Sequence, residues 1–455
     1  MTKNNNFLEP SLKLYRSATV GIKSDEFKLL IDPWLTDGEY YGSWSHYPAF
    51  NFEKNLEEIN SYDAIYISHI HPDHCSDDTL KKIDKNIPIY ILSYHSKFLK
   101  FKLEKLGFKV IELENFESKN LSKNFQLRII AADDCNPELC YKFNGCANVL
   151  EKERSQQIDS LAVISVMNKN ILNVNDCPFE LASSSLNKIL QTYKNIDLML
   201  LGYGGAGPYP QCVENFKERE KTEESKKKRI KFLEMSKMFI EKINPKYYLP
   251  FAGTYYLTGK LSNLQKFKGV PTIEDASKYL ETKISKNSKC VRLNPGSSLS
   301  LDKFITSSKY SPITNDEIEK YLNNTLSKRK LSYENEEEDN VENIYNLAKK
   351  AHMRFIEKKK QFKLILETDV LIKVKDRFIH IDNNSDQIFL KNQNDIKKLK
   401  KYVIYDLDIR LLKNILLGPR LAHWNNAEIG SHIKFTRKPN VFERNLYDSM
   451  CFFHA

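Results

Sequence analysis

The chain has 455 residues, long enough for two or three domains, and its 41% hydrophobic content supplies a full-sized core, which excludes a disordered protein. Its 70 Lys and Arg against 59 Asp and Glu leave a net charge of +11, yet most of the basic residues are Lys spread along the whole chain. No segment interleaves Arg with aromatics, so a nucleic-acid partner is not expected. Nothing in it reads as a secretory leader or a membrane span, and the eight cysteines show no CxxC or zinc-ribbon spacing. A cytoplasmic protein with reduced thiols is the expectation.

In chain order, residues 12–32 alternate apolar and polar and predict a β-hairpin that turns at Ser24-Asp25-Glu26. A Gly-, Pro- and aromatic-rich loop follows at 32–50, then a short apolar strand at 64–69 and a capped helix beginning at Ser76 or Asp77. Further strands are predicted at 87–93, 108–113 and 125–133, a hairpin at 160–176 and a buried strand at 196–203. A charged helix spans about 213–243. Strands separated by helices fit an α/β sandwich with helices covering two sheets. The expected domains are 1–305 (catalytic), 306–344 (a charged linker) and 345–455 (a smaller α+β extension that reaches the site).

The densest chemistry lies in Ser68-His69-Ile70-His71-Pro72-Asp73-His74, where three imidazoles and a carboxylate leave the end of an apolar strand. These are the ligand types that divalent zinc, iron or manganese prefer. A loop at a strand end can turn His69 and His71 to one ion, and Asp73 and His74 to a position beside it. Asp73 and His74 are also the catalytic candidates.

The HxHxDH spacing resembles the metallo-β-lactamase superfamily, an αββα sandwich. In that resemblance, the run 29–33 (LLIDP) corresponds to an early strand ending in Asp, and Asp176, closing ILNVND, to the carboxylate that bridges two metals. The runs 32–44 (DPWLTDGEYYGSW), 202–210 (GYGGAGPYP) and 245–253 (PKYYLPFAG) further resemble the CMP-N-acetylneuraminate hydroxylase-like branch, over about 32–255. The resemblance implies oxygen-dependent hydroxylation of a nucleotide-linked sugar at iron. The sequence departs from the pattern where two later His ligands are expected. Around 131–140 it offers Asp134, Asn136 and Glu138 instead, and 249–256 has no His. One or two ions are expected, and an oxygen-rich site favours iron over zinc. The branch's N-terminal Rieske motif is not seen in this sequence, which implies either a separate ferredoxin or Rieske electron donor or a different chemistry.

Other residues suit an anionic small-molecule substrate. Gly204 and Gly205 can cradle a phosphate through backbone N–H groups or simply make a tight turn. Trp34 can stack on a ring or pack in the core. Tyr209, Trp424, Asn425 and Arg437 are candidate contacts, and Glu428 and His432 (i, i+4) are candidate ligands if they share a helix face. An oxygenase is the first expectation, a metal-dependent hydrolase of a phosphoester, lactone or amide the second, and a non-catalytic metal-binding scaffold the third.

Overall fold

The computed structural model describes residues 9–94, 96–132, 158–285, 287–361 and 363–455. Two seven-stranded sheets form its centre. The first runs in the order Ser298–Ser300, Ser11–Arg16, Thr19–Lys23, Lys28–Ile31, Ala64–Tyr66, Ile89–Leu92, Val110–Leu113. The second runs Lys289–Cys290, Tyr247–Phe251, Leu198–Gly202, Lys169–Asn173, Ser160–Val166, Phe125–Ala131, Ser118–Ser122. The predicted hairpin at the start is in fact three antiparallel strands. The second turn is the predicted one, while the first is made at Ser17 with φ 37°, which no turn-favouring dipeptide announced.

Period-two patterning explains the layers. In Ser160–Val166, Ala162, Ile164 and Val166 face the other sheet, whereas Leu161 and Val163 face the helices outside. Leu198 and Leu200 against Met199 and Leu201 repeat the split on the neighbouring strand. The strands are apolar on both faces because both faces are covered, as a buried sheet requires. Helices Phe179–Thr192 and Glu218–Ile243 cover the second sheet through Leu186, Ile189, Phe239 and Ile240. Ile59, Leu80 and Leu103 cover the first. The architecture is an α/β, four-layer αββα sandwich with an additional C-terminal unit.

That unit is a five-stranded sheet, Gln387–Lys391, Arg377–Asp382, Asp369–Val374, Tyr402–Asp406, Lys434–Lys438, packed by helices Val341–Gln361 and Ile409–Leu417. It does not stand apart. Its core continues into Trp34, Tyr40, Trp44 and Tyr255 of the sandwich, and Lys434–Lys438 hydrogen-bonds the 212–215 loop on both sides of Phe435.

The stretch 306–344 departs from its reading as a solvated linker. It holds helix Asn315–Asn324, and Leu326, Leu331 and Tyr333 are all buried. Arg329 hydrogen-bonds Asp37 (2.9 Å) and Ser45 (2.7 Å), and so ties the segment to the loop beside the His cluster. Charged composition concealed these anchors, because a few apolar side chains suffice to dock a segment whose other residues remain wet. Among the described residues no disulfide joins cysteines, and no helix is long and apolar enough to cross a membrane.

Candidate metal centre

The chemistry collects at one end of the sandwich, where parallel strands finish. Lys28–Ile31 and Ala64–Tyr66 are parallel neighbours, so Asp32 and the His cluster leave side by side. On the second sheet, Asp159 enters the hairpin at Ser160 and Asp176 follows its return strand. The fold thereby brings one end of each sheet together.

His69 Nε2 lies 3.0 Å from His71 Nδ1. His74 Nε2 lies 3.5 Å from Asp73 Oδ2 and 3.4 Å from Asp176 Oδ2. Donor atoms of His69, His74 and Asp176 all fall within 4.8 Å of one another. Ligand bonds of about 2.0–2.2 Å put two donors of one ion roughly 2.9–4.4 Å apart, so a small inward shift of these side chains would fit one ion, or a pair sharing Asp176. Burial holds the His69 and His71 imidazoles below their ordinary range, as neutral ligands require. At His74 burial opposes protonation, but Asp176, Asp73 and Asp32 outweigh it and lift the ring well above its usual range. The sequence-predicted quartet and Asp176 are thus gathered.

Asp32 supports the cluster from behind. Its φ of 46° is a left-handed conformation that Asp tolerates, and it aims the carboxylate at the cluster. There it accepts from the Ser68 backbone (2.7 Å) and hydroxyl (2.7 Å) and from His74 Nδ1 (2.9 Å). A carboxylate behind a ligand imidazole fixes its tautomer and strengthens it as a donor. Replacing Asp32 with Asn is expected to lower metal affinity by about 10–100-fold with the fold retained. Competition with a chromophoric chelator measures this.

Two further neighbours escaped the sequence reading. Asp159 Oδ1 lies 3.7 Å from His69 Nε2, and burial pushes its carboxyl up to about 7. Its signal was its place at the hairpin end level with Asp176. The Tyr40 hydroxyl donates to Asp73 Oδ1 at 2.5 Å, from the aromatic loop that the sequence did flag. Asp134, Asn136 and Glu138 lie outside the described residues.

Several candidates fall elsewhere. His432 is not a free ligand, since its ring nitrogens contact the Tyr333 hydroxyl (3.0 Å) and the Tyr40 carbonyl (2.7 Å). Nor does it share a helix face with Glu428, because helix Trp424–Ile429 stops before Gly430 and Ser431 turns to φ 64°. Trp34 is buried against His46 (ring centroids 3.7 Å apart), and Trp424 is buried with Nε1 donating to the Phe453 carbonyl (2.8 Å). Both are core residues rather than substrate contacts. Gly204 and Gly205 are required by packing, as a Cβ would lie 3.0 Å from the Gly253 carbonyl and 2.4 Å from the Phe232 ring. They do not line the cavity over the cluster. That cavity, about 2240 Å³, is lined by Tyr40, His71, Asp159, Tyr209, Asn425 and Arg437 among others.

The family model for the beta-lactamase superfamily domain matches residues 11–169. Over that stretch the chain is similar to a beta-lactamase superfamily domain. The chain is also similar to the inactive cytidine monophosphate-N-acetylneuraminic acid hydroxylase of Homo sapiens, 26% identical over 310 residues (65% of this chain, 54% of that protein). It is similar to the cytidine monophosphate-N-acetylneuraminic acid hydroxylase of Macaca mulatta at 26% over 310 residues (65% and 46%). The chain spans about half the length of the curated relatives it matches. Among solved structures, a possible metal-dependent hydrolase from Veillonella parvula DSM 2008 is similar at 15% identity and TM-score 0.45, over 64% of this chain and 99% of that one.

Proposed function

We propose that the protein is a metal-dependent oxygenase that hydroxylates an anionic sugar or nucleotide-sugar-like small molecule. The observation that carries this reading is the donor set. Three imidazoles (His69, His71, His74) meet three carboxylates (Asp73, Asp159, Asp176), a mixed nitrogen–oxygen set of the kind non-haem iron takes. Similarity to the sialic-acid hydroxylases supports the same reaction class. A bound iron would supply the redox capacity that O₂ chemistry needs.

The chain's own residues hold and shield that centre. Asp32 orients His74, Tyr40 fixes Asp73, and Asp159 is a candidate further ligand beside His69. Hydroxylation converts R–H, O₂, two electrons and two protons to R–OH and water, so a ferredoxin- or Rieske-type partner is assigned the role of electron donor. A hydrolase on the same fold would instead acidify a metal-bound water and use no O₂.

The test is turnover of a cytidine-monophosphate-linked sialic acid by iron-loaded protein with a chemical reductant, under air and under argon. The expected product, formed only under air, is heavier by one oxygen atom. Equal turnover by the zinc-loaded protein under argon would replace the oxygenase reading with the hydrolase one.

A further inference from the structure

Opposite the His cluster, the cavity wall is built from the C-terminal unit. Arg437 lies in strand Lys434–Lys438, and its backbone is held on both sides by the Asn215 side chain, at 2.8 Å each way. Its guanidinium lies over the rings of Phe435 (5.2 Å) and Phe442 (5.6 Å) and is largely withdrawn from water, which costs a cation some of its stability. Among the described residues no carboxylate comes within ion-pair distance of it, and no hydrogen bond satisfies its five N–H groups. A half-buried guanidinium with no ion-pair partner among the described residues can receive an anionic ligand from the cavity.

A second observation points the same way. Glu428 is 1% exposed, and its Oε2 has no hydrogen-bond partner. Burial pushes its carboxyl above the usual range, against the opposing pull of the Tyr447 hydroxyl and the Arg437 charge. Beside it the Tyr447 hydroxyl accepts from Asn425 Nδ2 at 2.7 Å. Arg437, Glu428, Asn425 and Tyr447 all line the cavity that holds His71 and Asp159. The unsatisfied groups of this wall therefore face the same space as the metal cluster.

We propose that Arg437 is the oxyanion-recognition residue of the substrate pocket, binding a carboxylate or phosphate, with the free oxygen of Glu428 taking a neighbouring hydroxyl or amide. The proposal rests on the pocket serving a small-molecule substrate, as in the function proposed above. A planar guanidinium receives either oxyanion through two parallel N–H bonds, and the flanking Phe rings keep it in place. The site thus selects an anionic sugar or nucleotide and orients it toward His71, with Glu428 distinguishing hydroxylated from plain ligands.

Titration calorimetry on the metal-loaded full chain tests this with three probes: cytidine monophosphate, N-acetylneuraminic acid and uncharged cytidine. At least one anion is expected to bind the wild type more tightly than cytidine. Arg437→Ala should weaken that anion by roughly 10–100-fold and leave cytidine unchanged, with Arg437→Lys in between. Loss confined to cytidine monophosphate assigns the subsite to phosphate, and loss confined to N-acetylneuraminic acid assigns it to carboxylate. Metal content and melting temperature of the variants should match the wild type. Anion binding unchanged in a folded Arg437→Ala protein, or no preference of the wild type for either anion, would overturn the proposal. Anion binding that depends on Arg437 without O₂-dependent turnover would leave this subsite standing and remove only the oxygenase reading.

Discussion

Asp37→Asn is expected to destabilise the protein by about 3–5 kcal/mol, because it leaves Arg16 buried with its charge uncompensated. Arg16 is 2% exposed, and its Nη2 donates to Asp37 Oδ1 at 2.7 Å while Nη1 donates to the Leu35 carbonyl at 2.9 Å. Asp37 also accepts from Arg329 (2.9 Å) and the His46 backbone (3.1 Å), joining the first strand, the aromatic loop and the 306–344 segment in one partly buried network. Burial alone would lift the Asp37 carboxyl, but His46, Arg16 and Arg329 outweigh it and hold it well below the usual carboxylate range. The pH dependence follows from that depression. A carboxylate whose folded pKa lies below its unfolded one gives its full stabilisation above the unfolded pKa of about 3.9, and loses it as pH falls below that value. Wild-type stability should therefore fall more steeply below about pH 4 than that of Asp37→Asn. Urea unfolding at pH 7 and at acid pH measures both effects. Equal stability of the two proteins at pH 7 would show that the network carries no such weight.

How far the sequence could be read depended on how local each feature was. The His cluster was legible because four ligand-type side chains fall within six residues at the end of an apolar strand, a density that a solvated loop has no physical reason to reach. Asp32 and Asp176 were visible as acids closing apolar runs. Asp159 was not, because its approach to His69, 90 residues away in sequence, is created by the packing of two separate sheets. Trp34 and Trp424 show the converse error. Nearness to a motif says nothing about which side of the backbone an aromatic takes, and here both turn into the core. The i, i+4 spacing of Glu428 and His432 carried meaning only if the helix ran on, and it ends at Ile429. In 306–344 the charged majority masked Leu326, Leu331 and Tyr333, whose burial decides where the segment lies. The layered fold itself was readable from period-two strands alternating with helices, since that pattern has few other ways to bury its apolar faces.

Simultaneous replacement of His69 and His71 by Ala is expected to remove metal binding. The pair supplies two nitrogens 3.0 Å apart, and what remains is a carboxylate group around a single imidazole. Metal that binds only the folded state stabilises it by about 4 kcal/mol at a thousandfold excess over Kd, so loading should raise the wild-type melting temperature and leave the double variant unchanged. The most direct test of the metal centre is elemental analysis of protein purified without added zinc and reloaded anaerobically with Fe(II), in wild-type and His69→Ala/His71→Ala forms. The structure predicts about one to two bound ions per wild-type chain and none held by a folded double variant. No metal on the wild type after loading, or the same metal content in both proteins, would contradict it.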